Sequence, residues 1–79
     1  MSFKVLVNTI DKIENFVGIT RKFHYDIDLL VGRDKYLDGK SLMGILSCNI
    51  KEPMTVIVNC DDESERLRLK EELSEYVVA

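Results

Sequence analysis

Apolar residues change their spacing several times along this chain, and each change marks an element. Phe3-Lys4-Val5-Leu6-Val7 is apolar and β-branched, short enough for a strand, and Asn8 stops it. From Asp11 to Lys22 the period lengthens. Ile13, Phe16, Val17 and Thr20 stand at i, i+3, i+4 and i+7, which predicts a helix carrying that stripe against a sheet. Asp11, with Glu14 three positions later, offers a capping-box-like start, so Asp11 is expected to cap this helix. Gly18 inside it costs about 1 kcal/mol relative to alanine. Asp26 to Val31 returns to period two, with Ile27, Leu29 and Val31 on one face and Asp26, Asp28 and Leu30 on the other. Gly32-Arg33-Asp34 then reads as a turn and Lys35-Tyr36-Leu37-Asp38 as a returning strand, so the pair predicts a hairpin.

The densest segment follows. In Asp38-Gly39-Lys40-Ser41-Leu42-Met43-Gly44-Ile45-Leu46, Gly39 can take the positive φ of a tight turn, and Ser41 sits where its hydroxyl can accept from an orphan helix amide. Leu42, Met43, Ile45, Leu46 and Ile50 are too apolar for a surface loop and too short a run for a long helix, which predicts one short helix. Lys51-Glu52-Pro53 breaks it, and Met54 to Cys60 is the strongest strand pattern, with Met54, Val56 and Val58 on one face. Asp61-Asp62-Glu63 supplies acidic residues for a helix start, and Leu69, Leu73, Tyr76 and Val77 form the stripe of a last helix. The order is β-α-β-β-α-β-α. It predicts one α+β domain over 1–79, a four-stranded, mainly antiparallel sheet with helices on one face.

Composition narrows the classes. Seventy-nine residues, 46% hydrophobic and 32% charged, describe a globular domain that buries roughly 60% of its unfolded surface. No apolar run approaches the roughly 20 residues of a membrane span, and Met1-Ser2-Phe3-Lys4 leads into a strand without a signal-peptide core, so a cytoplasmic location and no membrane partner are expected. A net charge of −3 with eleven scattered basic residues speaks against nucleic acid. Cys48 and Cys60 lack Cys-x-x-Cys spacing and have one histidine to join them. No metal site and no cofactor are expected, and both thiols read as reduced, buried apolar residues. Glu71, Glu72 and Glu75 form a solvated face.

Lys40-Ser41-Leu42-Met43-Gly44-Ile45-Leu46-Ser47 resembles the regulatory-serine segment of the HPr family, the small histidine-containing phosphocarriers of the bacterial sugar phosphotransferase system. The resemblance continues in Lys22-Phe23 before a strand with Asp26-Ile27-Asp28-Leu29, and in the acidic start of the last helix. It implies an open-faced β-sandwich. It also implies that Ser41 is a phosphoacceptor for a dedicated HPr kinase, and that Leu42, Met43 and Leu46 contact that kinase, a catabolite-control repressor or other phosphotransferase-system proteins.

The other end of the chain departs from the family. An HPr phosphocarrier uses a histidine in a Gly-apolar-His-Ala-Arg-Pro loop between the first strand and first helix, where imidazole is the nucleophile and arginine with helix-start amides stabilises the phosphoryl oxygens. Here that loop is Asn8-Thr9-Ile10-Asp11, with none of those side chains. His24, the sole histidine, follows the first helix and falls at its far end. Neither a Ser-His-Asp nor a Cys-His arrangement can be built without it, so the chain reads as neither enzyme nor histidine phosphocarrier. Three functions stay open: a regulatory module switched at Ser41, a phosphocarrier using another acceptor such as Asp11, and a ferredoxin-like ligand-binding or dimerisation module, hinted at by Leu30. The plain alternative for Ser41 is a cap, with Leu42, Met43 and Leu46 as core.

Overall fold

Alternation along the strands and three-to-four spacing along the helices place the apolar residues on one side of a single sheet. The structure, a computed structural model, describes residues 2–78. In chain order the elements are β1 (Ser2–Val5), α1 (Ile10–Thr20), β2 (Ile27–Val31), β3 (Lys35–Asp38), α2 (Leu42–Leu46), β4 (Met54–Val58), α3 (Glu63–Glu72) and β5 (Val77–Val78). The strands lie in the order β3-β2-β4-β1-β5, and every neighbouring pair is antiparallel. The fold is α+β, with its helices against one face.

Register explains the core. Val56 stands opposite both Phe3 and Leu29, Met54 opposite Val5, and Val58 opposite Ile27, so one face of the central strands is wholly apolar. Ile13, Phe16 and Val17 of α1, Ile45 of α2, and Leu69 with Leu73 from the third helical segment cover that face, and all are buried. Each such side chain contributes roughly 1.5–3 kcal/mol by leaving water. The opposite face, with Lys4, Asp28, Leu30, Thr55 and Ile57, is half-buried or exposed. That is the open face of the sandwich.

Three expectations change in detail. The sheet has five strands, because α3 ends at Glu72 and Leu73 caps it. The Tyr76 amide donates to Leu73 O at 2.9 Å, and this turn, rather than more helix, buries Tyr76. The β-branched Val77 and Val78 then pair with Val5 and Lys4.

The cap of α1 is Thr9, not Asp11. The helix begins one residue before Asp11, and the extended Thr9 accepts from the Lys12 amide at 3.2 Å. Asp11 lies in the first turn, where its charge favours the helix dipole.

Gly39 does not have a positive φ; among the described residues only Gly32 does, at 66°. Gly39 is required for close approach instead. Its amide donates to Ile27 O at 2.7 Å, and a Cβ built on it would meet that oxygen at 2.7 Å.

Candidate functional site

The residues around Ser41 are placed by the turn Asp38 to Lys40, and that turn is stitched to the end of α1. The buried Thr20 hydroxyl donates to Gly39 O at 2.8 Å, the Arg21 Nε donates to Lys40 O at 3.0 Å, and Lys40 Nζ donates back to Phe23 O at 2.6 Å. Within the turn the Lys40 amide donates to Asp38 Oδ1 at 2.9 Å and the Ser41 amide to Asp38 O at 3.1 Å. The backbone of Ser41 is therefore held from three directions.

Ser41 caps α2 as its sequence position suggests. Its backbone is extended, and its hydroxyl oxygen accepts from the Gly44 amide at 3.1 Å. Gly44 also keeps this side of the hydroxyl clear, since a Cβ there would lie 3.2 Å from Ser41 Oγ.

The four apolar residues that follow divide by spacing. Ile45 is fully buried, and Leu42 packs half-buried against the core. Met43 is 78% exposed and Leu46 38% exposed. A five-residue helix lying on a sheet turns only one side inward, so two of its large apolar residues face outward beside the half-buried Ser41. Of the residues expected to contact partners, Met43 and Leu46 are thus presented to solvent, and Leu42 is shared with the core.

At the other candidate location, Leu6 to Thr9 join β1 to α1. The Leu6 amide donates to Tyr76 O at 2.9 Å, Thr9 caps the helix, and Lys12 Nζ donates to Asn8 Oδ1 at 3.1 Å. Ile10, at the helix start, is 60% exposed. His24 lies beyond the C-terminal end of α1 and is exposed. The structure therefore separates the lone histidine from this loop by the length of the helix.

Burial raises the pKa of Tyr76, whose carbonyl meets the Leu6 amide, and the other displaced groups lie away from both locations. Burial, reinforced by the Glu65 carboxylate and Cys60, pushes the Tyr25 hydroxyl up to about 12 while that hydroxyl donates to Glu65 O at 3.1 Å. The hydrogen bond from Lys22 holds the Glu72 carboxyl below its ordinary value, and Ser64 does the same for the α3 cap Asp62. Cys48 and Cys60 are free and half-buried, with Cys48 Sγ donating to Ile45 O. Among the described residues no cluster of three or more His, Cys, Asp or Glu could hold a metal, and no helix is long and apolar enough to cross a membrane.

Sequence reasoning missed Thr9 as the cap, Arg21, and the hydrogen bond of Thr20, which it had placed only on the buried stripe. For Thr9 the signal was present, a threonine ahead of a helical period with an acidic first turn. Thr20 and Arg21 act across 19 residues of sequence, and no local pattern reveals that.

Taken together, the fold and site define a small open-faced sandwich that displays a serine-capped helix rather than an enclosed cleft. Comparison with known proteins agrees: the family model described as "PTS HPr component phosphorylation site" matches residues 12–77, beginning just after the Leu6–Thr9 loop. The chain belongs to the HPr family of the phosphotransferase system. Among solved structures it is similar to HPr-C-His from Thermoanaerobacter tengcongensis, with 22% identity, 95% of this chain and 91% of that chain covered, and a TM-score of 0.72. That likeness shows the fold. No curated protein matches the chain.

Proposed function

We propose that this chain is a regulatory, protein-binding member of the HPr family, switched by phosphorylation of Ser41, and not a histidine phosphocarrier. The observation that carries the reading is the placement of the half-buried Ser41 beside the exposed Met43 and Leu46, while a threonine cap occupies the start of α1. In the phosphorylation step the Ser41 Oγ attacks the γ-phosphorus of ATP. The Oγ–P bond forms as the bond to the ADP oxygen breaks, and the hydroxyl proton passes to a base of the kinase. The product carries nearly two negative charges at a helix start, where free amides and the dipole favour them, so α2 persists and its surface changes. HPr kinase and a catabolite-control repressor are the partners the family resemblance implies, and they would meet Met43, Leu46 and the exposed part of Leu42. The reading places the protein in the cytoplasm, where kinase and repressor act.

Intact-mass measurement tests this directly. Incubation with ATP and an HPr kinase should add one phosphate to the wild type and none to Ser41→Ala, and incubation with phosphoenolpyruvate and the general phosphotransferase enzyme should add none to either. If the kinase modifies neither protein, Ser41 is a cap alone. A phosphate gained from phosphoenolpyruvate would instead establish a phosphocarrier with a non-histidine acceptor.

A further inference from the structure

We propose that Arg21 is the residue that holds the phosphate of phosphorylated Ser41, making the end of α1 part of the recognised surface. The inference rests on Ser41 being the phosphoacceptor, as proposed above. Arg21 Nε donates to Lys40 O at 3.0 Å, and that carbonyl belongs to the peptide bond whose nitrogen is Ser41's own. A backbone contact independent of any phosphate therefore parks the guanidinium one residue from the hydroxyl.

Its remaining four N–H donors have no partner among the described residues, and Arg21 takes part in none of the ion pairs there. The neighbouring cations are committed elsewhere. Lys40 turns its ammonium to Phe23 O, and Lys22 pairs with Glu72 of α3. Asp38 is the carboxylate of the same turn, and it accepts from the Lys40 amide. A planar guanidinium matches a phosphate with two parallel hydrogen bonds, which an ammonium cannot do. Gly44 leaves the neighbouring side of Ser41 clear. The phosphate would then bridge α1 and α2, and a partner would meet phosphate, Arg21 and Met43 as one composite surface.

The test installs phosphoserine at position 41 by genetic code expansion, so it does not depend on any kinase. Phosphorus NMR then follows the second ionisation of the phosphate in the wild type, Arg21→Ala, Arg21→Lys and Thr20→Val. Thr20→Val loosens the same turn without removing a charge. Arg21→Ala should raise that pKa by about 0.5 pH unit, Arg21→Lys by less, and Thr20→Val should leave it near the wild-type value. Equal pKa values in wild type and Arg21→Ala, or an equal rise in Thr20→Val, would overturn the role of Arg21. Failure of the kinase assay with an intact Arg21 effect would count against Ser41 as the acceptor and leave the arginine contact standing.

Discussion

The Thr20 hydroxyl donates to the Gly39 carbonyl at 2.8 Å from a position with no solvent exposure, and the Gly39 amide in turn donates to Ile27 O at 2.7 Å. These two contacts tie the end of α1 and the start of β2 to one turn, two residues before Ser41. The serine is thereby positioned by the core rather than by a free loop.

Replacing Thr20 with valine keeps the shape and removes the donor. The buried Gly39 carbonyl then loses its partner, and the desolvation of an unpaired carbonyl costs about 1–3 kcal/mol. Urea unfolding of Thr20→Val should show that loss as a lower midpoint with an unchanged slope. A midpoint equal to wild type would mean that the hydrogen bond contributes nothing.

Two glycines should respond in opposite directions. Gly39→Ala would put a Cβ 2.7 Å from the Ile27 carbonyl oxygen and 3.0 Å from its Cγ2, and displacing backbone costs about 1–3 kcal/mol. Gly18 sits inside α1 with nothing within 4 Å of the added carbon, so Gly18→Ala should stabilise by about 0.5–1 kcal/mol. Thermal melts of the two variants, run together, should bracket the wild type.

This contrast also shows what sequence could and could not reveal. The period-two strands Ile27–Val31 and Met54–Val58 and the stripe Ile13, Phe16, Val17, Thr20 were legible because each pattern is local and its buried face is the one observed. Ser41 was legible as a cap for the same reason. The strand order left no local pattern, because it joins residues far apart in the chain, and β5 was hidden because Leu69, Leu73, Tyr76 and Val77 fit a helical stripe although the helix stops at Glu72. Gly39 was recognised as special for the wrong reason. Positive φ and close approach both demand glycine, and only the contact with Ile27 separates them. Arg21 gave no sequence signal at all, since its partner lies on another element.

Alkaline stability should depend on Tyr25. Its folded pKa is raised to about 12, chiefly by burial, from an ordinary value of 10.0, so the folded state favours the protonated phenol. The contribution is fully present below pH 10 and is lost as pH rises toward 12, because the unfolded chain ionises first. Denaturant midpoints of the wild type should fall across that window. Those of Tyr25→Phe, which has no proton to lose there, should fall less steeply after starting slightly lower for want of the hydrogen bond to Glu65 O. Parallel declines in the two proteins would show that Tyr25 ionises as freely folded as unfolded.

Met43 and Leu42 are neighbours with unequal shares in the core, since Met43 faces solvent and Leu42 divides between surface and core. Met43 is 78% exposed, so Met43→Ala should change stability by no more than about 0.5 kcal/mol. Leu42 packs against the core cluster, and Leu42→Ala should cost about 1–2 kcal/mol by removing buried methyl groups. Under the proposed switch, the exposed residue is the one a partner must cover. Met43→Ala should therefore reduce the efficiency of Ser41 phosphorylation by HPr kinase about tenfold while its melting temperature stays at the wild-type value. An unchanged phosphorylation rate in a normally folded Met43→Ala would remove this helix face from the recognition surface and leave the kinase to read the turn alone.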